Sequence, residues 1–180
     1  DGEGNVVPGV SLTRPLAVGV PGTVDGMVEV HERFGTLPFA ELVQPAITLA
    51  SEGYVLTPKG AGSLNRFRNT FSKVNRFTPA ALKDTPWAAG EEIAQPDLAA
   101  TLTRIRDKGR AGFYEGTTAE LIVDEMEAGG GLITREDLSD YRSVWRDPII
   151  GTYRGHRIIS MPPPSYGGIA LVQPLKGIEA

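Results

Sequence analysis

The run Met161-Pro162-Pro163-Pro164-Ser165-Tyr166-Gly167-Gly168 constrains this chain more than any other stretch. Three consecutive prolines fix φ three times and remove three backbone donors, so the segment is predicted extended and irregular, outside any helix or sheet interior. The glycine pair then lets the backbone turn sharply or lie close against another surface. Beyond it Ile169, Leu171, Val172, Leu175 and Ile178 predict a helix with one apolar face that runs to Ala180 without a cap or polar tail. That ending is read as an internal piece of a longer protein, with an apolar stripe left for other parts to cover. Pro174 within it predicts a kink.

Upstream, the spacing of apolar residues predicts mostly helices. Pro21-Gly22 makes a turn after a short extended piece around Leu16 to Val20, and Thr23 is the expected N-cap of a helix from Val24 to Phe34. Met27, Val30, His31 and Phe34 recur at helical spacing and are expected to be buried. Gly35 reads as a left-handed cap. Pro38 opens a second helix whose stripe is Phe39, Leu42, Val43, Ala46, Ile47 and Ala50, ended by Gly53. Two helices so closely joined predict an antiparallel packed pair.

A polar, basic helix is expected from Pro58 towards Phe77, then a turn-rich passage through Thr85-Pro86-Trp87. Pro96 opens a helix with Leu98, Leu102 and Ile105 on one side, capped near Gly109. The next helix, from about Thr118 to Ala128, aligns Ala119, Ile122, Val123 and Met126, and Gly129-Gly130-Gly131 terminates it. Thr134 to Asp137 reads as a capped helix entry. From Val144-Trp145 the period turns towards strand, through Ile149-Ile150 and His156 to Met161, with Arg154-Gly155 as hairpin turn. The predicted class is α+β: a helix-rich body followed by a few C-terminal strands, with residues 1–180 forming a single unit.

The length suffices for one domain that buries roughly 70% of its unfolded surface. The 41% hydrophobic and 22% charged fractions are those of a globular chain. Lys59, Arg66, Arg68, Lys73 and Arg76 form the one cationic cluster, spread through a polar stretch of a chain with net charge −4. They read as a solvated face and not as a nucleic-acid footprint. Without cysteine there is no disulfide, thiolate nucleophile or Cys-ligated metal. No apolar run reaches the roughly 20 residues of a membrane span. Asp1-Gly2-Glu3-Gly4-Asn5 is turn-like and unlike a signal peptide.

The residues themselves offer no self-contained active site. Gly129–Gly131 lacks the Gly-Lys-Ser/Thr of a phosphate loop. His31 reads as a satisfied core imidazole and His156 as exposed, and neither has carboxylates at metal-ligand spacing. Glu91-Glu92, Glu120/Asp124/Glu127 and Glu136-Asp137 read as solvated faces and caps. Ser165 lacks the Gly-x-Ser-x-Gly elbow of an exposed nucleophile.

Family likeness carries the reading further. Gly19-Val20-Pro21-Gly22-Thr23-Val24, then His31 to Pro38, then Gln44 to Tyr54 resemble the large subunit of γ-glutamyltranspeptidases. So do Gly112-Phe113-Tyr114-Glu115-Gly116 with Ala119, and Gly130 to Leu138 with Tyr141. Pro148 to Gly155 and the Met161–Gly168 run also match, in the family's order, from about Ser11 to Glu179. One departure is Tyr166, where the family carries a second serine.

The resemblance implies the middle part of the large subunit of an N-terminal-nucleophile hydrolase, an αββα sandwich made as one self-cutting precursor. It implies a threonine nucleophile whose own α-amine acts as base, a γ-glutamyl acyl-enzyme, and transfer to water or to an amino acid or peptide. Glutathione or another γ-glutamyl compound is the implied substrate, the small catalytic subunit of the same precursor the implied partner, and periplasm or exterior the implied location. No cofactor is implied. The family's threonine heads the small subunit, and its carboxylate-gripping arginine lies in an Arg-Glu-x-Ala-Pro-like segment; neither motif occurs here. No catalytic, substrate-binding or metal-ligating residue is therefore assigned on this chain, which is expected to be inactive alone. The alternatives are a related acylase or poly-γ-glutamate-processing enzyme, and a non-catalytic helical interaction module.

Overall fold

The computed structural model describes residues 3–13 and 15–179, with the backbone alone at 11 and 13; Asp1-Gly2 and Ala180 lie outside the described residues. The chain divides between Arg142 and Ser143 into two compact units, where the sequence suggested one. The physical reason is local: from Tyr141 to Pro148 the backbone runs without helix or strand.

The first unit is helical. After a short helix α1 (Val10–Thr13) and a 3₁₀ turn (Pro15–Ala17) come α2 (Thr23–Phe34) and α3 (Phe39–Glu52). The extended piece expected at Leu16 to Val20 is absent, because Pro15–Ala17 coils instead. Helix α2 starts one residue earlier than expected, with Gly22 as N-cap. A Cβ on Gly22 would lie 2.2 Å from the Tyr141 hydroxyl oxygen, so a bulkier cap has no room. Gly35 is extended at φ −66°, ψ 138°, and not left-handed.

A two-residue ladder, β1 (Tyr54–Val55) with β2 (Glu92–Ile93), brackets α4 (Pro58–Val74) and the turn-rich passage after it. The Thr57 hydroxyl accepts from the Gly60 N–H at 3.0 Å, and Pro58 fills the first helical position, so α4 begins with both devices of a good N-terminus. Asn65 on α4 holds the passage: its amide nitrogen donates to the Trp87 carbonyl and its oxygen accepts the Trp87 N–H, both at 2.8 Å. Leu56, Ala61 and Ile93 close a small core there with Leu64 and Trp87.

Then follow α5 (Pro96–Lys108), α6 (Ala111–Tyr114), α7 (Gly116–Gly129) and α8 (Arg135–Asp140). Gly130 takes the left-handed conformation at φ 72°, ψ 32°, and the Gly131 N–H returns to the Met126 carbonyl at 2.7 Å, so the glycine triplet terminates α7 as expected. Thr134 and Asp137 form a reciprocal capping box on α8. The main core gathers Tyr114, Ala119, Val123, Met126, Ile133 and Leu138, which includes three of the four residues expected to align on α7.

The expected α2–α3 pairing is replaced by α3 against α5. Ile47 and Ala50 of α3 and Ala99 and Ile105 of α5 are buried, the Gln95 N–H donates to the Ala50 carbonyl, and Arg106 donates to Gln44 at 2.7 Å. Met27 and Phe34, expected in the core, are 58% and 63% exposed, and Val30 and Leu42 are exposed as well. Leu98 is likewise exposed and Ala99 buried in its place. Two isoleucines and two alanines are buried on the paired helices, and larger apolar side chains of α2 and α3 line an open groove.

The second unit is a hairpin and a helix. Strands β3 (Ile149–Tyr153) and β4 (His156–Ser160) pair antiparallel from Ile149↔Ser160 to Tyr153↔His156. Arg154 and Gly155 have φ of 48° and 77°, the double left-handed turn whose twist suits a two-residue hairpin. Val144-Trp145 is not a strand. The proline run forms an irregular turn with a cis Pro163–Pro164 bond, and α9 (Gly167–Glu179) continues through Pro174. Helix α9 lies on β3, where a Cβ on Gly151 would be 2.7 Å from Val172 Cγ1. Of the expected stripe Val172 is buried, Ile169 and Leu175 are half-buried and Ile178 is exposed.

The observed faces separate two substitutions of similar chemistry. Ile47→Ala should cost about 2–5 kcal/mol in denaturant unfolding, and Leu42→Ala should stay within about 0.5 kcal/mol. Equal costs at the two sites would contradict the α3–α5 packing. In the second unit Gly151→Ala should destabilise by about 1–3 kcal/mol, as overpacking does; a neutral result would mean that Val172 has room to move.

Candidate functional site

The residues weighed from the sequence are placed as structural groups. His31 is half-buried, its Nε2 is 2.8 Å from the Leu37 carbonyl, and its ring meets Phe39 edge-on at 5.1 Å. It is the satisfied imidazole expected. His156 and Ser165 are both exposed. Glu91 accepts from Lys83 Nζ at 2.6 and 2.7 Å and from the Ala88 N–H at 2.6 Å, and the lysine holds its carboxyl below the usual range. Glu120 pairs with Arg135 at 3.3 Å, and Asp137 serves its cap. Asp124, Glu127 and Glu136 are exposed. Among the described residues no group of acidic, His or Cys side chains could hold a metal ion.

The polar constellation that the fold does build is elsewhere. Asp25, in the first turn of α2, is 2% exposed, and its Oδ1 accepts from Arg110 Nε at 2.8 Å. Arg110 precedes α6, placed there by Gly109, whose φ of 57° lets the chain leave α5 and turn at once. The Arg110 Nη2 donates to the carbonyls of Ser139 at 2.9 Å, in the last turn of α8, and Tyr141 at 2.6 Å, just past it. Its guanidinium also lies 4.7 Å from the centroid of the Tyr114 ring, which stacks on Tyr141 at 5.8 Å.

The Tyr114 hydroxyl donates to the Pro21 carbonyl at 2.5 Å and accepts from the Asp25 N–H at 3.3 Å. Both its hydrogen-bonding roles are thus taken by the backbone that enters α2. Burial pushes the phenol up from its ordinary range, so it stays protonated. A second knot supports the first. Arg104 Nε donates to Thr118 Oγ1 and that hydroxyl donates to the Gly112 carbonyl, both at 2.8 Å. A Cβ on Gly112 would lie 2.0 Å from the Arg104 carbonyl oxygen.

This cluster resembles an active site in composition but not in access. A general base must reach a substrate proton, and the Asp25 carboxylate is covered and already paired. Its chemistry is positional: it ties the start of α2 to the start of α6 and the end of α8. The sequence reading missed it because partners 85 residues apart leave no local pattern. Its traces lie in the motifs that carry the family resemblance: Tyr114 is in Gly112–Gly116, Pro21 in Gly19–Val24, and Tyr141 accompanies Gly130–Leu138.

Among the described residues α2, α3 and α5 line a groove of about 610 Å³ with Met27, Val30, Phe34, Phe39, Leu42 and Leu102. His31 is the only imidazole or charged group on its walls, and that ring is engaged by Leu37. A ligand site needs a few convergent polar groups among apolar walls, and here they do not converge. An apolar groove of this kind suits packing.

Removing Arg110 tests the cluster directly. Arg110→Ala takes the guanidinium from a buried carboxylate and should cost about 3–5 kcal/mol, whereas replacing both residues by apolar ones (Asp25→Leu with Arg110→Met) should cost much less. Equal loss in both variants would mean that the packing of the arginine stem, and not its charge, is what matters.

Comparison with known proteins completes the picture. The gamma-glutamyltranspeptidase family pattern matches residues 1–180. The glutathione hydrolase proenzyme of Pseudomonas sp. strain A14 is 42% identical over 99% of this chain and 32% of its own length. The acylase ACY 1 proenzyme of Pseudomonas sp. strain V22 is 40% identical over 91% of the chain and 29% of its own length. Among solved structures, the Helicobacter pylori gamma-glutamyltranspeptidase superposes with a TM-score of 0.91 and 43% identity, over 99% of this chain and 52% of that one. The chain therefore spans about a third of the length of such proenzymes. Matched along its whole length by one family in sequence and in fold, the chain belongs to the gamma-glutamyltranspeptidase family.

Proposed function

We propose that this chain is the middle part of the large subunit of a glutathione hydrolase that cleaves γ-glutamyl amide bonds. Cleavage runs through a γ-glutamyl-threonine acyl-enzyme and passes the acyl group to water, an amino acid or a peptide. The observation that carries the reading is the 42% identity to a glutathione hydrolase proenzyme over 99% of the chain. The nucleophilic threonine and the arginine that grips the substrate carboxylate belong, on this reading, to other parts of the protein. The described residues fit that division, since their buried polar cluster is spent on tying helices together.

The role of the chain is then to form one helical layer of the αββα sandwich. The open groove on α2, α3 and α5 is the face on which a sheet of the complete enzyme rests, and the small subunit of the same precursor is its partner. The relatives' names as proenzymes support a processed precursor. None of the helices among the described residues is long and apolar enough to cross a membrane. Periplasm or exterior is the proposed location, tested by fractionating cells that make the natural protein.

A second reading has support of its own in the 40% identity to an acylase proenzyme. The enzyme that contains this chain should release p-nitroaniline from γ-glutamyl-p-nitroanilide, faster when glycylglycine is added as acceptor. Turnover of glutaryl-7-aminocephalosporanic acid with none of the anilide would move the assignment to the acylases. Residues 1–180 alone should give no release above buffer, because the attacking group is absent. Activity of the isolated chain that one of its own substitutions abolishes would overturn the division of labour.

A further inference from the structure

We propose that helix α4 is a docking face for an anionic lipid surface, on which the helix lies in the plane of the headgroups. From Pro58 to Lys83 the sequence has six cationic residues and no aspartate or glutamate, in a chain whose net charge is −4. Three of the six are engaged locally. Arg68 donates to the Asp84 carbonyl, Arg76 pairs with Glu125 at 3.4 Å, and Lys83 pairs with Glu91. The other three, Lys59, Arg66 and Lys73, are exposed and stand seven residues apart along one helix.

Seven residues are close to two helical turns, so the three cations form one stripe about 21 Å long. Beside it runs an apolar line, Leu64, Phe67, Phe71 and Val74, at steps of three, four and three. Phe67 is 49% exposed and Val74 43%, and the rings of Phe67 and Phe71 lie 6.1 Å apart. Just past the helix Phe77 is 73% exposed. The groove under Phe67 and Phe71 is walled by Tyr54, Val55 and Leu64, so the apolar strip continues beyond the helix.

A cationic edge against an exposed aromatic and aliphatic strip is the arrangement of an interfacial helix: the apolar side enters the acyl boundary and the cations meet lipid phosphates. A single-stranded nucleic acid would use the same cations, but it stacks its bases between separated rings. Here the exposed apolar groups include aliphatic Val74, and the two neighbouring rings lie against each other.

The test is co-sedimentation of the protein with vesicles of equimolar phosphatidylglycerol and phosphatidylcholine, against pure phosphatidylcholine. Binding should require phosphatidylglycerol and weaken as salt is raised. Each cation near such a surface is worth about fivefold in affinity, so Lys59→Gln, Arg66→Gln and Lys73→Gln together should lose on the order of a hundredfold. The charge-keeping set Lys59→Arg, Arg66→Lys and Lys73→Arg should bind like the parent, which separates lost contacts from lost folding. Phe67→Ser with Phe77→Ser should weaken binding while the dependence on phosphatidylglycerol remains. Equal binding to both vesicles, no binding to either, or an unaffected triple glutamine variant would each overturn the proposal. Tighter binding to oligo(dT) than to the anionic vesicles would overturn it in favour of a nucleic-acid surface.

Discussion

One buried charge pair organises the first unit. Asp25 opens α2 and Arg110 sits in the turn before α6, 85 residues on, and the guanidinium that neutralises the carboxylate also collects the carbonyls of Ser139 and Tyr141. Such a pair contributes little net stability when formed and costs heavily when broken. Its value here is geometric. A planar cation with a fixed fork of donors defines the directions from which α2 and the end of α8 arrive, as a nonspecific apolar contact does not. Tyr114 completes the definition by holding the Pro21 carbonyl and the Asp25 N–H on one hydroxyl.

Around this tie the close approaches are made possible by glycine. Gly22 passes against the Tyr141 hydroxyl and Gly112 against the Arg104 carbonyl, at separations where a Cβ would collide. These two positions lie in segments by which the family resemblance was read, Gly19 to Val24 and Gly112 to Gly116. The motif residues thus have a physical account without any catalytic role: they let backbone and ring meet around the charge pair.

Much of the helical order was legible in the sequence because its signals are local. Pro38, Pro58 and Pro96 mark helix starts, Gly130 ends α7, the Thr134–Asp137 box opens α8, and Arg154-Gly155 turns the hairpin. What periodicity could not supply was the partner. The stripes on α2 and α3 were real, but an apolar face does not say what covers it, and α3 packed against α5 instead. Asp25 and Arg110 were invisible for a related reason. Each looks like an ordinary surface charge, one in a first helical turn and one in a turn between helices, and only folding brings them together. Of the buried cluster the sequence offered only motif members such as Pro21, Tyr114 and Tyr141, with no local signal for the Asp25–Arg110 pair among them.

The long reach of the Asp25–Arg110 tie also sets an order of assembly. With partners 85 residues apart, the contact pays a large loop-closure entropy before it returns anything. On a ribosome, α2 and α3 emerge before Arg110 and Tyr114, with their larger apolar side chains facing water. The arginine and tyrosine that fix the entry to α2 leave the tunnel only after α4 and α5. Until then the entry to α2 has no fixed position, even where α3 has met α5, and its window of exposure is as long as the synthesis of the segment between.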